Sequence, residues 1–345
     1  MHYLMKTALL AGAIFGSAHP AKAADAAGAA GAAPRVVYSP YKHLALHNDP
    51  ASNVITVAPQ GKRLPYLEHS RQPLTWAFAS GECGEENWGG QPAQAVADAN
   101  VAAFASAGVD YIISTGGQGN VFTCGSEEGM ERFIQRYASP QLIGIDFDIE
   151  AGQTPEQVDS LVQRIVAAQA KHPRLRMSFT VATHAASDGS RRSLNGMAET
   201  VLESVRRNGL QDYVLNIMVM DYGPAAKAVC VLRKGRCDMG ASALQAARNV
   251  HEKYRVPYRQ IELTAMIGVN DVVENIFTLA DMEAMARGAR KLGLGGLHFW
   301  SVDRDTPCRT DVKGADAACS GMRGVPPGAY ARALARAARA AEAGR

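Results

Sequence analysis

One segment, Leu142-Ile-Gly-Ile-Asp-Phe-Asp-Ile-Glu150, constrains this chain more than any other. Asp146, Asp148 and Glu150 stand at alternate positions in an otherwise apolar run. A β-strand turns successive side chains to opposite faces, so the three carboxyls share one face and Ile145, Phe147 and Ile149 share the other. Three carboxyls this close cannot all ionise cheaply in a poorly hydrated site, because each raises the pKa of its neighbours. At least one proton is then shared among them near neutral pH, which is what a general acid needs. The rival readings are a solvated acidic edge or a calcium site, and flanks this apolar argue against exposure.

Similar short apolar runs recur along the chain. Candidate strands are Val36–Leu46, Leu74–Ala79, Tyr111–Ser114, Leu142–Ile149, Arg176–Thr183, Tyr213–Met220, Ile261–Ile267 and Gly296–Ser301. Nearly continuous apolar strands belong to a parallel sheet covered on both faces. Helical patterns lie between them. Pro92–Ala107 is bracketed by proline and Gly108, Thr154-Pro155 opens Pro155–Lys171, Leu279–Leu292 stops at Gly293, and Tyr330–Ala341 is a final Ala/Arg-rich helix. Eight strands alternating with helices imply a closed (β/α)8 TIM barrel, a single domain over residues 35–345. The first crossover is the weak unit, since Pro50 to Arg71 carries little helical pattern. An open doubly wound sheet is the competitor. No GxGxxG fingerprint joins an early strand to a helix, and polar residues cluster at strand C-termini, where barrel enzymes place their chemistry.

The N-terminus reads as an export signal. Lys6, the apolar run Thr7 to Phe15 and the Ala21-Lys22-Ala23 pattern mark residues 1–23 as a signal peptide, and residues 24–34 as a flexible Ala/Gly leader. The apolar run is far short of the ~20 residues that span a bilayer. A soluble, monomeric, extracellular or periplasmic protein is therefore expected. Six cysteines fit that compartment, and six allow 15 pairings. Closeness along the chain favours Cys230–Cys237 and Cys308–Cys319, which leaves Cys83 with Cys124. No CxxC pair or histidine cluster points to a metal, and no cofactor is implied. A net charge of +3 without a basic run interleaved with aromatics argues against a nucleic-acid partner.

Several segments carry a family resemblance. Asp146-Phe-Asp-Ile-Glu150 resembles the DxDxE signature of glycoside hydrolase family 18, the chitinases and their relatives. In the same order, Ser114-Thr-Gly-Gly117 resembles SxGG, Met218-Val-Met-Asp-Tyr222 resembles the strand-six MxYD or MxMDY segment, and Met266–Asp271 and Phe299–Ser301 resemble the ends of strands seven and eight. The resemblance implies substrate-assisted, retaining hydrolysis of β-1,4 bonds in chitin or N-acetylglucosamine oligosaccharides, an exception to the two-carboxylate scheme. It implies Glu150 as general acid and Asp148 as holder of the acetamido N–H. Asp146 would share a proton with Asp148, Tyr222 or Asp221 would orient the acetamido group, and Trp300 would floor the subsite. Met218, Gly116, Gly117 and Trp88 are further substrate-side candidates. The same motif also occurs in endo-β-N-acetylglucosaminidases acting on N-glycans, and a non-catalytic lectin-like barrel is the reading from another class.

The sequence departs from the family pattern in three places. Ile143 stands where many members have aspartate. Tyrosine follows the strand-six aspartate as Tyr222, where MxYD would put it at Met220, and one residue of register turns a side chain to the other face. Only Val272 to Phe277 separates the strand-seven motif from its helix, so no large insertion fits there and an open groove is expected. Among other conspicuous residues, Trp76 reads as core and His298 as a satisfied barrel histidine. His184 and Asp188 are possible subsite residues, and Trp88 is either a sugar platform or loop packing.

Overall fold

The computed structural model describes residues 36–47 and 49–342, with the side chains of the last helix described as far as Arg336. The signal peptide and leader expected over residues 1–34 lie outside the described residues. Nine parallel strand segments form one sheet, in the order Val37–Tyr38, Gly296–Trp300, Ile261–Met266, Val214–Met218, Arg176–Ala182, Leu142–Asp148, Tyr111–Gly116, Leu74–Ala79 and Tyr41–His43. The two outer members are halves of one continuous run. Pro40, which has no N–H for a ladder, interrupts it. Val37 pairs with Gly296 and Tyr41 with Thr75, so this single run bridges the last strand to the second and the sheet curls on itself as a (β/α)8 barrel.

The expected strands are found at their expected places, with ends displaced by a few residues. The first is split in two and ends at His43 rather than Leu46, and the sixth stops at Met218 rather than Met220. Helix α1 (Tyr66–His69) is one turn long, and with two-residue strand pieces it makes up the irregular first crossover. The others are α2 (Ala93–Ala107), α3 (Glu127–Arg136), α4 (Pro155–Lys171), α5 (Gly196–Arg207), α6 (Met239–Tyr254), α7 (Leu279–Leu292) and α8 (Ala329–Glu342). Helix α4 starts where a capping box forces it to. Thr154 Oγ1 accepts from Gln157 N, and the Gln157 side chain accepts from Thr154 N. Its Val158, Leu161, Val162 and Ile165 are fully buried against the sheet, each side chain contributing about 1.5–3 kcal/mol of apolar transfer. Gly108 and Gly293 end α2 and α7 with φ of 64° and 73°, a left-handed geometry that glycine adopts without a Cβ clash.

Three disulfides close the pairs favoured by spacing: Cys83–Cys124, Cys230–Cys237 and Cys308–Cys319. After the seventh strand, Gly268–Val269 pairs antiparallel with Ile276–Phe277 and α7 follows directly, so no inserted domain stands there. Among the described residues no helix is long and apolar enough to cross a membrane.

The barrel axis is polar near its base. Glu262 meets Arg176 and accepts from His298 Nε2 at 2.8 Å, while His298 Nδ1 lies 2.7 Å from the Ser39 carbonyl. Burial opposes ionisation of Glu262, but Arg176 and His298 outweigh it and hold the carboxyl below its usual range. His298 is thus a satisfied structural residue. Trp76 is core as well, fully buried between Tyr111 and Phe104 at ring distances of 4.5 and 4.9 Å.

Candidate active site

The fourth strand delivers its carboxyls to the C-terminal mouth of the barrel and gives each a different surrounding. Asp146, deepest, is saturated with donors. Tyr41 and Ser114 hydroxyls reach Oδ2 at 2.9 and 2.7 Å, and Ser178 and Thr180 hydroxyls reach Oδ1 at 2.7 Å each. The four donors come from three other strands. Asp148 is 5% exposed, and its Oδ1 has no hydrogen-bond partner among the described residues. Burial, then the charges of Glu150 and Asp146, push its pKa well above the usual carboxylate range. Glu150 lies just past the end of the strand, half-buried. Burial raises its pKa first, then Asp221 and Asp271, with a hydrogen bond from the Gln118 backbone pulling the other way.

Asp148 and Glu150 face a cleft of about 370 Å³. Trp300 lies on its floor, stacked on Phe78 at 5.4 Å and flanked by Tyr41 and His43 at 6.2 and 5.8 Å. Met218, Met220 and Met266 give one apolar wall, and His184 and Asn195 line the cleft too. Asp221 and Asp271 bring the lining carboxyls to four with Asp148 and Glu150, and no lysine or arginine is among the lining residues described. Burial first, and then Asp271, raises the Asp221 pKa, against a backbone hydrogen bond from Val272. His184 is held below the usual histidine range by burial and then by Arg192. Asp188 lies outside the cleft, exposed and capping the Ser190 N–H at 2.9 Å.

Four substrate-side candidates, Tyr222, Trp88, Gly116 and Gly117, do not line the cleft. The sixth strand ends early and Asp221 takes a left-handed turn at φ 49°, which carries Met220 and Asp221 into the cleft and sends the Tyr222 ring into the core at 2% exposure. Trp88 is no sugar platform: it is 2% exposed, edge-on to Tyr137, with its indole N–H bonded to the Tyr137 hydroxyl at 2.8 Å. Gly116 and Gly117 serve packing within the protein. A Cβ on Gly116 would lie 2.2 Å from the Asp148 carbonyl, and one on Gly117 would lie 2.7 Å from the Phe78 ring.

A prediction follows from the placement of Tyr222. Its hydroxyl has no partner among the described residues, so Tyr222→Phe removes an unpaired buried polar atom. Turnover should stay near wild type, and stability should hold or rise by about 1 kcal/mol. Steady-state kinetics and thermal melting check both. A large fall in kcat would mean that the hydroxyl acts on substrate.

The sequence reading missed Tyr41, Phe78, Gln118, Asn195 and Asp271. Asp271 stands inside a segment that had drawn notice, Met266–Asp271, but nothing marked its side chain. Phe78 alternates with Trp76 and would share its outward face, but the pairing register shifts between Trp76 and Ala79 and the alternation fails there. Gln118 acts through its backbone, which no side-chain pattern reveals.

No family model matches the chain. It is 26% identical over 228 residues to the probable bifunctional chitinase/lysozyme of Escherichia coli (strain K12), covering 61% of this chain and 25% of that protein. It is 25% identical over 295 residues to endochitinase 11 of Metarhizium anisopliae, covering 79% of this chain and 53% of that one. The chain thus matches a quarter and about half the length of these relatives. In fold it is similar to the catalytic domain of the hyperthermophilic chitinase from Pyrococcus furiosus, with a TM-score of 0.67 and 24% identity over 89% of this chain and 96% of that domain. Catalytic-site mutants of active domain 2 of that chitinase have been crystallised with chito-oligosaccharides. In sequence the chain is thus similar to two proteins named as chitinases, and in fold to a chitinase catalytic domain.

Proposed function

We propose that the protein is an exported chitinase that cuts β-1,4 bonds between N-acetylglucosamine units with the substrate's own acetamido group as nucleophile. The observation that carries this reading is the pair Asp148 and Glu150. Both are pushed above the usual carboxylate range, and the unpartnered Asp148 Oδ1 is buried beside a cleft floored by Trp300.

The chemistry follows from those positions. A sugar ring presents an apolar face that stacks on Trp300, and the stack keeps water from the reacting carbon. Glu150, its pKa raised by burial and by the charges of Asp221 and Asp271, gives its proton to the glycosidic oxygen as the bond to the anomeric carbon breaks. The acetamido carbonyl oxygen closes onto that carbon and forms an oxazolinium ring. Asp148 accepts the ring N–H and, as an anion, stabilises its positive charge. The Glu150 carboxylate then takes a proton from the water that opens the ring, and the acid is restored. Export is the companion proposal. All six cysteines are paired in disulfides, which persist in oxidising compartments and are rare in the cytosol.

Product analysis on chitooligosaccharides beside a high-mannose glycoprotein tests the substrate. The reading predicts shorter N-acetylated oligomers from the first and no released glycan from the second. Glycan release with no cutting of chitooligosaccharide would replace it with an endo-β-N-acetylglucosaminidase.

A further inference from the structure

Two buried asparagines hydrogen-bond the backbone of the turn that follows the sixth strand. Asn270 and Asn275, both with no exposed surface, sit in the hairpin after the seventh strand. Asn275 Oδ1 accepts from Tyr222 N at 2.7 Å, and its Nδ2 donates to the Gly223 carbonyl at 3.1 Å. Asn270 Oδ1 accepts from Asp221 N at 3.4 Å, while its Nδ2 is tied to the Met266 and Gly268 carbonyls at 2.8 and 3.1 Å. In return, Asp221 Oδ1 accepts from Val272 N at 2.7 Å.

The need for these bonds lies in the backbone. Asp221 and Gly223 have φ of 49° and 92°, so the chain on both sides of Tyr222 has left the sheet and lost its ladder partners. Buried N–H and C=O groups left unpaired are costly. A carboxamide carries a donor and an acceptor on one planar group and can serve both, as a neighbouring strand would. A left-handed aspartate is itself disfavoured, so the turn persists only where its surroundings hold it.

We propose that Asn275, assisted by Asn270, is a positioning residue for the reaction: by binding the backbone of the Asp221–Gly223 turn it holds the Asp221 carboxyl in the cleft with Glu150 and keeps Tyr222 in the core. Asn275 touches no substrate and acts only through Asp221. The inference rests on the reading of Glu150 as the general acid. Misplacing a reacting group by about 1 Å can cost about 10²-fold in rate, so Asn275→Ala should lower kcat by about tenfold to a hundredfold. A fall in kcat alone does not separate positioning from damage, but the pH profile does. Glu150 must be protonated to act, so activity is lost as pH rises through its pKa. Asp221 and Asp271 both help to raise that pKa. Removing the Asp221 carboxyl from the cleft must therefore move the alkaline limb of kcat to lower pH.

The experiment measures kcat against pH on one chitooligosaccharide for wild type, Asp221→Asn, Asn275→Ala and the double variant. Both single variants should shift the alkaline limb to lower pH, and the double should shift it no further than Asp221→Asn alone, because the two changes remove one effect. An alkaline limb left at its wild-type place by Asn275→Ala, or shifts that add in the double variant, would overturn the proposal. Should Asn275→Ala not fold, Asn275→Ser keeps a polar group at the turn and is read in the same way. Wild-type activity with no alkaline limb, together with full activity in Glu150→Gln, would sink the reading of the acid, and the role of Asn275 with it.

Discussion

Glu150→Gln is expected to lower kcat on N-acetylated chitooligosaccharides by about 10²–10⁴ while oligosaccharide binding survives. The amide is nearly isosteric but has no acidic proton to give. The same variant has a stability signature whose sign is fixed. Glu150 in the folded protein has a raised pKa, burial being the largest cause and the charges of Asp221 and Asp271 following. The folded state therefore holds a proton that the unfolded chain releases, and ionisation penalises folding. That penalty is absent below the unfolded value of about 4.3 and grows as pH rises towards the raised folded value. Glutamine escapes it, so the variant should melt at or above the wild-type temperature at neutral pH, with the difference closing in acid. Kinetics, binding by calorimetry and melting at two pH values check the three statements. Hydrolysis at the wild-type rate would remove Glu150 from the role of acid.

Fully deacetylated oligomers are expected to bind without being cut. The account assigns the nucleophile to the substrate's acetamido carbonyl, and a glucosamine unit has none. An intramolecular nucleophile in place is worth an effective molarity of about 10⁵–10⁸ M, or roughly 7–11 kcal/mol of barrel-site barrier that nothing else in the cleft supplies. A thiazoline analogue of the cyclised intermediate should inhibit, since it resembles the species that Asp148 is placed to stabilise. Comparable rates on acetylated and deacetylated oligomers would rule out substrate assistance while leaving the fold untouched.

The sequence made the barrel legible because its strands are short apolar runs at regular intervals and its helices carry caps such as Thr154 and Gly293. The alternation in Leu142–Glu150 was enough to put Asp146 and Asp148 on the axis, and chain proximity favoured the three disulfides that form. What periodicity could not carry was the backbone where strands end. The reading of Tyr222 depended on whether the sixth strand continued, and the left-handed Asp221 that ends it is held by Asn270 and Asn275, about fifty residues further on. Phe78 was hidden by the register shift after Trp76. Trp88 stayed open between platform and packing because a loop tryptophan looks exposed until a partner is found, and here Tyr137 supplies both an edge and a hydroxyl. The donors around Asp146 stayed hidden for a related reason. The hydroxyls of Tyr41, Ser114, Ser178 and Thr180 come from three other strands, and each looks unremarkable in its own segment.

The central claim is that the substrate's carbonyl attacks first and water second, each from the opposite side of the anomeric carbon. Two inversions leave the configuration where it began. Proton NMR on a fresh digest of N-acetylated chitooligosaccharide, read before mutarotation mixes the anomers, tests this most directly. The account predicts that the new reducing ends appear as the β-anomer and only later drift to the equilibrium mixture. New ends that appear first as the α-anomer would mean that water attacks directly, and would contradict it.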